Sequence, residues 1–148
     1  MPRSTRLQPV HAVVEDHERK IARKFAQAEH RLSEAQTKLK ELDRYHAEYA
    51  RGFHQRAQGG IGAAGLRDYQ VFLAKLNEAI KQQKSIVQRA EGERELARQE
   101  WLKAAQRTKA IAHVMEKWLV EERRALERRE QLETDERAQR NRRSDGIT

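Results

Sequence analysis

Gly60-Ile61-Gly62-Ala63-Ala64-Gly65 carries the spacing G-x-G-x-x-G, with which a tight turn lets the backbone approach a dinucleotide pyrophosphate. That chemistry needs the glycines to follow a strand and open a helix, because the pyrophosphate rests on the helix N-terminus. The residues before Gly60 read as helix and no strand pattern precedes them, so the glycines are expected to turn the chain rather than hold a nucleotide. The six histidines, His11, His17, His30, His46, His54 and His113, raise metal ligation as a second chemistry. None falls in H-E-x-x-H and the chain has no cysteine, so no metal site and no cofactor is expected. No serine can be paired with a base, and no ATP-binding loop is present. Carboxylates abound, but they read as solvated faces and as i,i+4 partners of Lys and Arg. The chain therefore reads as a non-enzyme with no small-molecule substrate.

The elements that would carry any interaction follow from composition and periodicity. Of 148 residues, 31 are Lys or Arg and 23 Asp or Glu, giving a net charge of +8; charged residues make up 36% and aromatics 5%. Richness in Ala, Leu, Glu, Lys and Arg points to long helices, and the absence of cysteine excludes a disulfide scaffold. So charged a chain can bury little apolar surface, which argues against a globular enzyme with a large core. No apolar run is long enough to span a bilayer, and MPRSTRLQPV has no secretory hydrophobic region, so a cytoplasmic protein of one domain is expected.

Seven-residue steps through Leu7, Val14, Ile21, Ala28, Ala35, Leu42 and Tyr49 are all apolar and define position d of a heptad. Position a holds His11, Glu18, Phe25, Leu32, Leu39, His46 and Phe53. A second seam runs through Leu66, Leu73, Ile80, Val87, Arg94, Trp101, Thr108 and Met115 at a, with Tyr69, Leu76, Gln83, Ala90, Ala97, Ala104, Ile111 and Trp118 at d. Between them lie four of the seven glycines. The fold predicted is all-α, an antiparallel coiled-coil hairpin with helix 1 over about 9–54, a glycine-rich loop over about 55–65 and helix 2 over about 66–140. Partners summing to 122 pair Phe53 with Tyr69, Leu32 with Ala90 and Leu7 with Met115. The paired part would form a rod roughly 70 Å long at 1.5 Å per residue. Polar seam residues such as Glu18, Gln83, Arg94 and Thr108 would penalise other registers.

On this reading Met115 is the last residue of helix 2 with a partner, and about 25 residues project beyond it as a C-terminal helical overhang. Trp118, Leu119, Val120, Leu126 and Leu132 on that overhang suggest an external partner. Residues 141–148 read as a disordered basic tail. Near the turn, Tyr45, Phe72 and Ala79 sit at position g, beside the seam. With Leu42, Tyr49 and Leu76 they would form an apolar strip, read as a binding patch. A basic chain with heptads raises nucleic-acid binding as an alternative. Balanced charge from Glu121 to Arg137 weighs against it, since a basic zipper needs a compact basic region.

Leu39-x-x-Leu42-x-x-Tyr45-x-x-Glu48-Tyr49, the glycine loop, and Tyr69-Gln70-x-Phe72-x-x-x-Leu76-x-x-Ala79-Ile80-x-Gln82 together resemble the flagellar FliJ family. Trp101 and Arg129-Glu130-Gln131-x-x-x-Asp135-Glu136-x-Ala138 extend the resemblance over nearly the whole chain. It implies a central-stalk component of flagellar type III export. Such a protein docks in the hexameric export ATPase FliI, promotes its assembly and activity, contacts the export gate FlhA and escorts export chaperones. The membrane would be met only through protein partners, at the inner face of the cell membrane at the flagellar base. The gate surface implied is Leu42, Tyr45, Tyr49, Phe72, Leu76 and Ala79, with Gln83 and Lys38 at its edges. The ATPase surface implied lies on the end carrying both termini, at Trp118, Leu119, Arg123, Leu126 and Arg129. The equivalent stalk of a virulence secretion system is the alternative of the same physical class.

Overall fold

The computed structural model describes residues 2–146. Two helices account for almost all of them, α1 (Arg3–Gln58) and α2 (Ala63–Asp145), packed against each other as an antiparallel hairpin. By their contacts the residues form two compact units. One is Lys20–Leu102; the other combines Met1–Arg19 with Lys103–Thr148 and is described over 2–19 and 103–146.

In the first unit the seam is narrow because its buried residues are small or slender. Leu32, Ala35, Val87 and Ala90 form the core, with Leu39 packed against it. Alternating leucine or valine with alanine lets two backbones approach closely and still fill the space between them. The expected register appears in contacts: Phe53 stacks on Tyr69 with ring centroids 3.6 Å apart, and Leu32 shares a cluster with Ala90. Gln83 is buried, and its Nε2 donates to the Ala35 carbonyl at 2.9 Å, so a polar seam residue is satisfied across the pair. Leu66 departs from expectation. It is 45% exposed, three residues after α2 begins at the turn.

The turn is tighter than the predicted 55–65, since both helices run closer to the glycines. Gly59 and Gly60 donate backbone N–H groups to the carbonyls of Arg56 and Ala57, closing the end of α1. Gly60 has φ +86°, the left-handed conformation that ends many helices and that a side chain resists. Gly60→Ala should therefore cost about 1–2 kcal/mol, read as a lowered thermal midpoint without loss of helicity. At Gly65 a Cβ would run into Ile61 Cγ2, so this glycine lets the turn fold back on itself.

The second unit corrects three boundaries. Helix 1 begins at Arg3 rather than near residue 9, so Pro9 lies inside it. An interior proline lacks the N–H owed to the carbonyl four residues back and costs about 3 kcal/mol. Pairing does not stop at Met115. Trp118, Glu122 and Ala125 are still partly covered, and Ser4 bonds to Glu122. Finally, the basic stretch expected to be disordered is helical through Asp145, with Gly146 donating to the Arg142 carbonyl; residues 147 and 148 lie outside the described residues. Within this unit the Thr108 hydroxyl contacts the Val14 carbonyl at 3.3 Å and the Ala104 carbonyl at 3.1 Å. Thr108 and Val14 are partners in the expected register.

Candidate functional site

In the unit holding the turn, α1 and α2 bring together all three tyrosines and two of the three phenylalanines. Tyr49 is the hub: its ring lies 4.3 Å from Phe72, 5.4 Å from Tyr69 in a stack, and 6.4 Å from Tyr45. Tyr45 meets Phe72 edge-on at 6.0 Å. Such pairs contribute about 0.5–1.5 kcal/mol beyond area burial. The cluster therefore holds its own shape while leaving one edge open to solvent. Tyr45 is 50% exposed and Phe72, Tyr49 and Leu42 are half-buried. Packed rings on two helices, part exposed, suit protein docking; nothing in the group can act as a nucleophile paired with a base.

The seven predicted gate residues do not all face outward. Leu42, Tyr45, Tyr49, Phe72 and Ala79 reach the surface at least in part. Leu76 and Gln83 are buried, at 7% and 4% exposure, and belong to the seam. Lys38 is exposed. A partner can touch the first five directly, whereas Leu76 and Gln83 act by holding the helices in register. Gln83→Ala should accordingly cost about 1–2 kcal/mol of stability through the lost bond and the space left behind. Its effect on partner binding should vanish once folded fractions are equalised, which calorimetry with matched folded concentrations would show. Phe53 and Tyr69 extend the cluster; their heptad positions mark them only as seam residues, because heptad position says nothing about whether neighbouring rings join.

The second surface lies on α2 in the other unit. Trp118 is half-buried, and the Arg3 guanidinium lies 5.7 Å from its ring centroid, so it is not on an unpaired overhang. Leu119 is 48% exposed and Leu126 55% exposed; Arg123 and Arg129 are also exposed. After Ala125 the described helix is exposed throughout, including Leu132. Arg3, Ser4 and Glu122 were not singled out by sequence. Ser4 is the kind of residue that starts a helix, but taking Pro9 as the first turn hid it, and its partner is 118 residues away. Glu122 accepts from the Ser4 hydroxyl at 2.6 Å and from the Ser4 N–H at 3.1 Å. These bonds, aided by the Arg3 backbone and charge, hold its carboxyl below the usual carboxylate range.

The histidines take ordinary helical roles where their contacts are seen. His30 Nε2 lies 2.8 Å from Glu34 Oε1 and His11 Nδ1 3.5 Å from Glu15 Oε2, each one turn away. Among the described residues no group of three or more His, Cys, Asp or Glu is placed to hold a metal ion, and no helix is long and apolar enough to cross a membrane. The G-x-G-x-x-G run joins two helices, without the strand a dinucleotide site requires.

Residues 3–146 match the family described as flagellar FliJ protein. No curated protein and no solved structure matches the chain.

Proposed function

Because the chain belongs to the flagellar FliJ family, and is thereby a component of flagellar protein export, we propose that it is a non-catalytic stalk that links the export ATPase to the export gate. In this reading the FliI hexamer is held through α2 around Trp118, Leu119, Arg123, Leu126 and Arg129, and its assembly and activity are promoted. FlhA is met through the open edge of the aromatic cluster, at Leu42, Tyr45, Tyr49, Phe72 and Ala79. Export chaperones are escorted on the same protein, and the membrane is reached only through the gate, which would put the protein at the inner face of the cell membrane.

The observation that carries the reading is the half-exposed Tyr45–Phe72–Tyr49 edge. It concentrates the chain's aromatic surface at one place, rigid and partly desolvated, as interface anchors are. A solvated coiled coil with no partner would have no use for tyrosine and phenylalanine beside its seam. The test is ATP hydrolysis by the cognate export ATPase, with and without the full chain, at physiological salt. Stimulation is expected; no stimulation of a hexamer otherwise competent to assemble contradicts the ATPase half of the proposal. Docking through apolar rings should also change little between 50 and 200 mM salt, whereas nucleic-acid binding through phosphate contacts would weaken by orders of magnitude.

A further inference from the structure

We infer that residues 3–8 of α1 form a hinged strap, which opens and closes over the Trp118–Ala125 face of α2 while the helix beyond Pro9 stays paired. Three features of the second unit combine to give it. The first is a latch. A helix begins with N–H groups that have no partner within it, and a side chain in the first turn commonly supplies one. α1 has no acidic residue in its first turn. Its cap comes from α2, where Glu122 accepts both the N–H and the hydroxyl of Ser4. Ser4 is 3% exposed, so the latch is a seated contact.

The second feature is the hinge. Pro9 lies six residues into α1 from Arg3 and has no N–H, so the Thr5 carbonyl loses its donor four residues on. The ladder is thus interrupted between the strap and the body of the helix. Beyond the interruption the body is tied independently, through the Thr108 hydroxyl on the Val14 carbonyl. The third feature is what the strap covers. Arg3 stands over the Trp118 ring, and Pro2 and Arg6 line one side of an open groove of about 480 Å³ whose other side is Trp118, Glu121 and Glu122. Opening would bare an indole ring and a carboxylate on α2 without unpairing residues 10–19, so the face has a covered and an uncovered state whichever partner uses it.

The charged groups facing the latch are Arg3 and Arg6 from α1 and Glu121 beside Glu122 on α2. The Ser4 bonds lower the Glu122 pKa. The latch is therefore fully formed above the ordinary carboxylate range and is lost as pH falls through that lowered value.

Amide hydrogen exchange on the full chain tests this, with Trp118 quenching by acrylamide in a Trp101→Phe background as a second reading. Glu122→Gln should speed exchange at residues 4–8 about tenfold, the ratio for loss of one charge-assisted hydrogen bond, and leave residues 14–28 unchanged. Quenching of Trp118 should rise with it. Pro9→Ala should restore the missing rung and slow exchange at residues 4–8, with Trp118 better shielded. If Glu122→Gln loosens residues 14–28 by the same factor, or leaves residues 4–8 as they were, the strap is not an independent unit. If Pro9→Ala leaves exchange at residues 4–8 unchanged or faster, Pro9 is not its hinge.

Discussion

Replacing Tyr45 and Phe72 together by Ala should weaken binding to the gate protein by about 30-fold or more, the effect of losing at least about 2 kcal/mol at an interface anchor. ATPase stimulation should stay at its original level. The size follows from geometry. Tyr45 is half exposed and Phe72 half-buried, and they meet edge-on, so the pair gives an incoming partner a preformed corner of two rings. The selectivity follows from placement, because both belong to the unit Lys20–Leu102 and the residues assigned to the ATPase belong to the other. Phe72 also lies against Tyr49, so the double variant should be somewhat less stable. Tyr45→Ala alone, which loses only its two longer ring contacts, is the control: it should reduce gate affinity by several-fold with little change in thermal midpoint. Equal loss of gate binding and ATPase stimulation in a folded double variant would contradict two separate surfaces.

Ending the chain after Ala125 should lower ATPase stimulation several-fold, since Leu126 and Arg129 go while Trp118, Leu119 and Arg123 stay, and change stability by no more than about 0.5 kcal/mol. Residues 126–145 of α2 are exposed along their whole length, so their removal uncovers nothing that α1 had covered. They carry Leu126 and Leu132, at 55% and 63% exposure, and Arg129. Apolar side chains on a helix with no internal partner lose no packing when removed, but they are available to a partner. Ending the chain after Met115 would be a poorer experiment. It would also delete Trp118 and Glu122, on which Arg3 and Ser4 rest, and so would confuse lost docking with a released first turn of α1. Full stimulation after removal of 126–148 would take Leu126 and Arg129 out of the ATPase surface and confine it to Trp118, Leu119 and Arg123.

The heptads made the hairpin legible because two helices that must each bury one stripe do so by pairing their seams, and a short glycine turn leaves them one register. Leu32 against Ala90, Phe53 against Tyr69 and Thr108 against Val14 are where that register says they should be. The aromatic strip was legible for a related reason, since Tyr45 and Phe72 at position g cannot be fully covered in a two-stranded pair. Heptad position d places Leu76 and Gln83 in the seam, and there the structure buries them, with the Gln83 amide donating to the Ala35 carbonyl; Leu76 was grouped with the strip only as a neighbour of its rings, and Gln83 only through the resemblance.

The ends of the helices were less legible because they depend on contacts far apart in sequence. Nothing local to Pro2-Arg3-Ser4-Thr5 says that a glutamate 118 residues on will cap it. Without that cap, Pro9 is the natural place to begin the helix. With it, α1 gains a first turn and α2 keeps a partner as far as Ala125. The exposed stretch therefore begins about ten residues later than periodicity alone suggested.

On the proposed function, one chain holds the ATPase and the gate at the same time. The most direct measurement is sedimentation velocity on the full chain mixed with the assembled export ATPase and the soluble part of the gate protein, each labelled differently. A single boundary carrying all three labels is expected, with the gate label lost from it when Tyr45 and Phe72 are replaced by Ala. Two boundaries, in which ATPase and gate each hold the chain but never together, would contradict it.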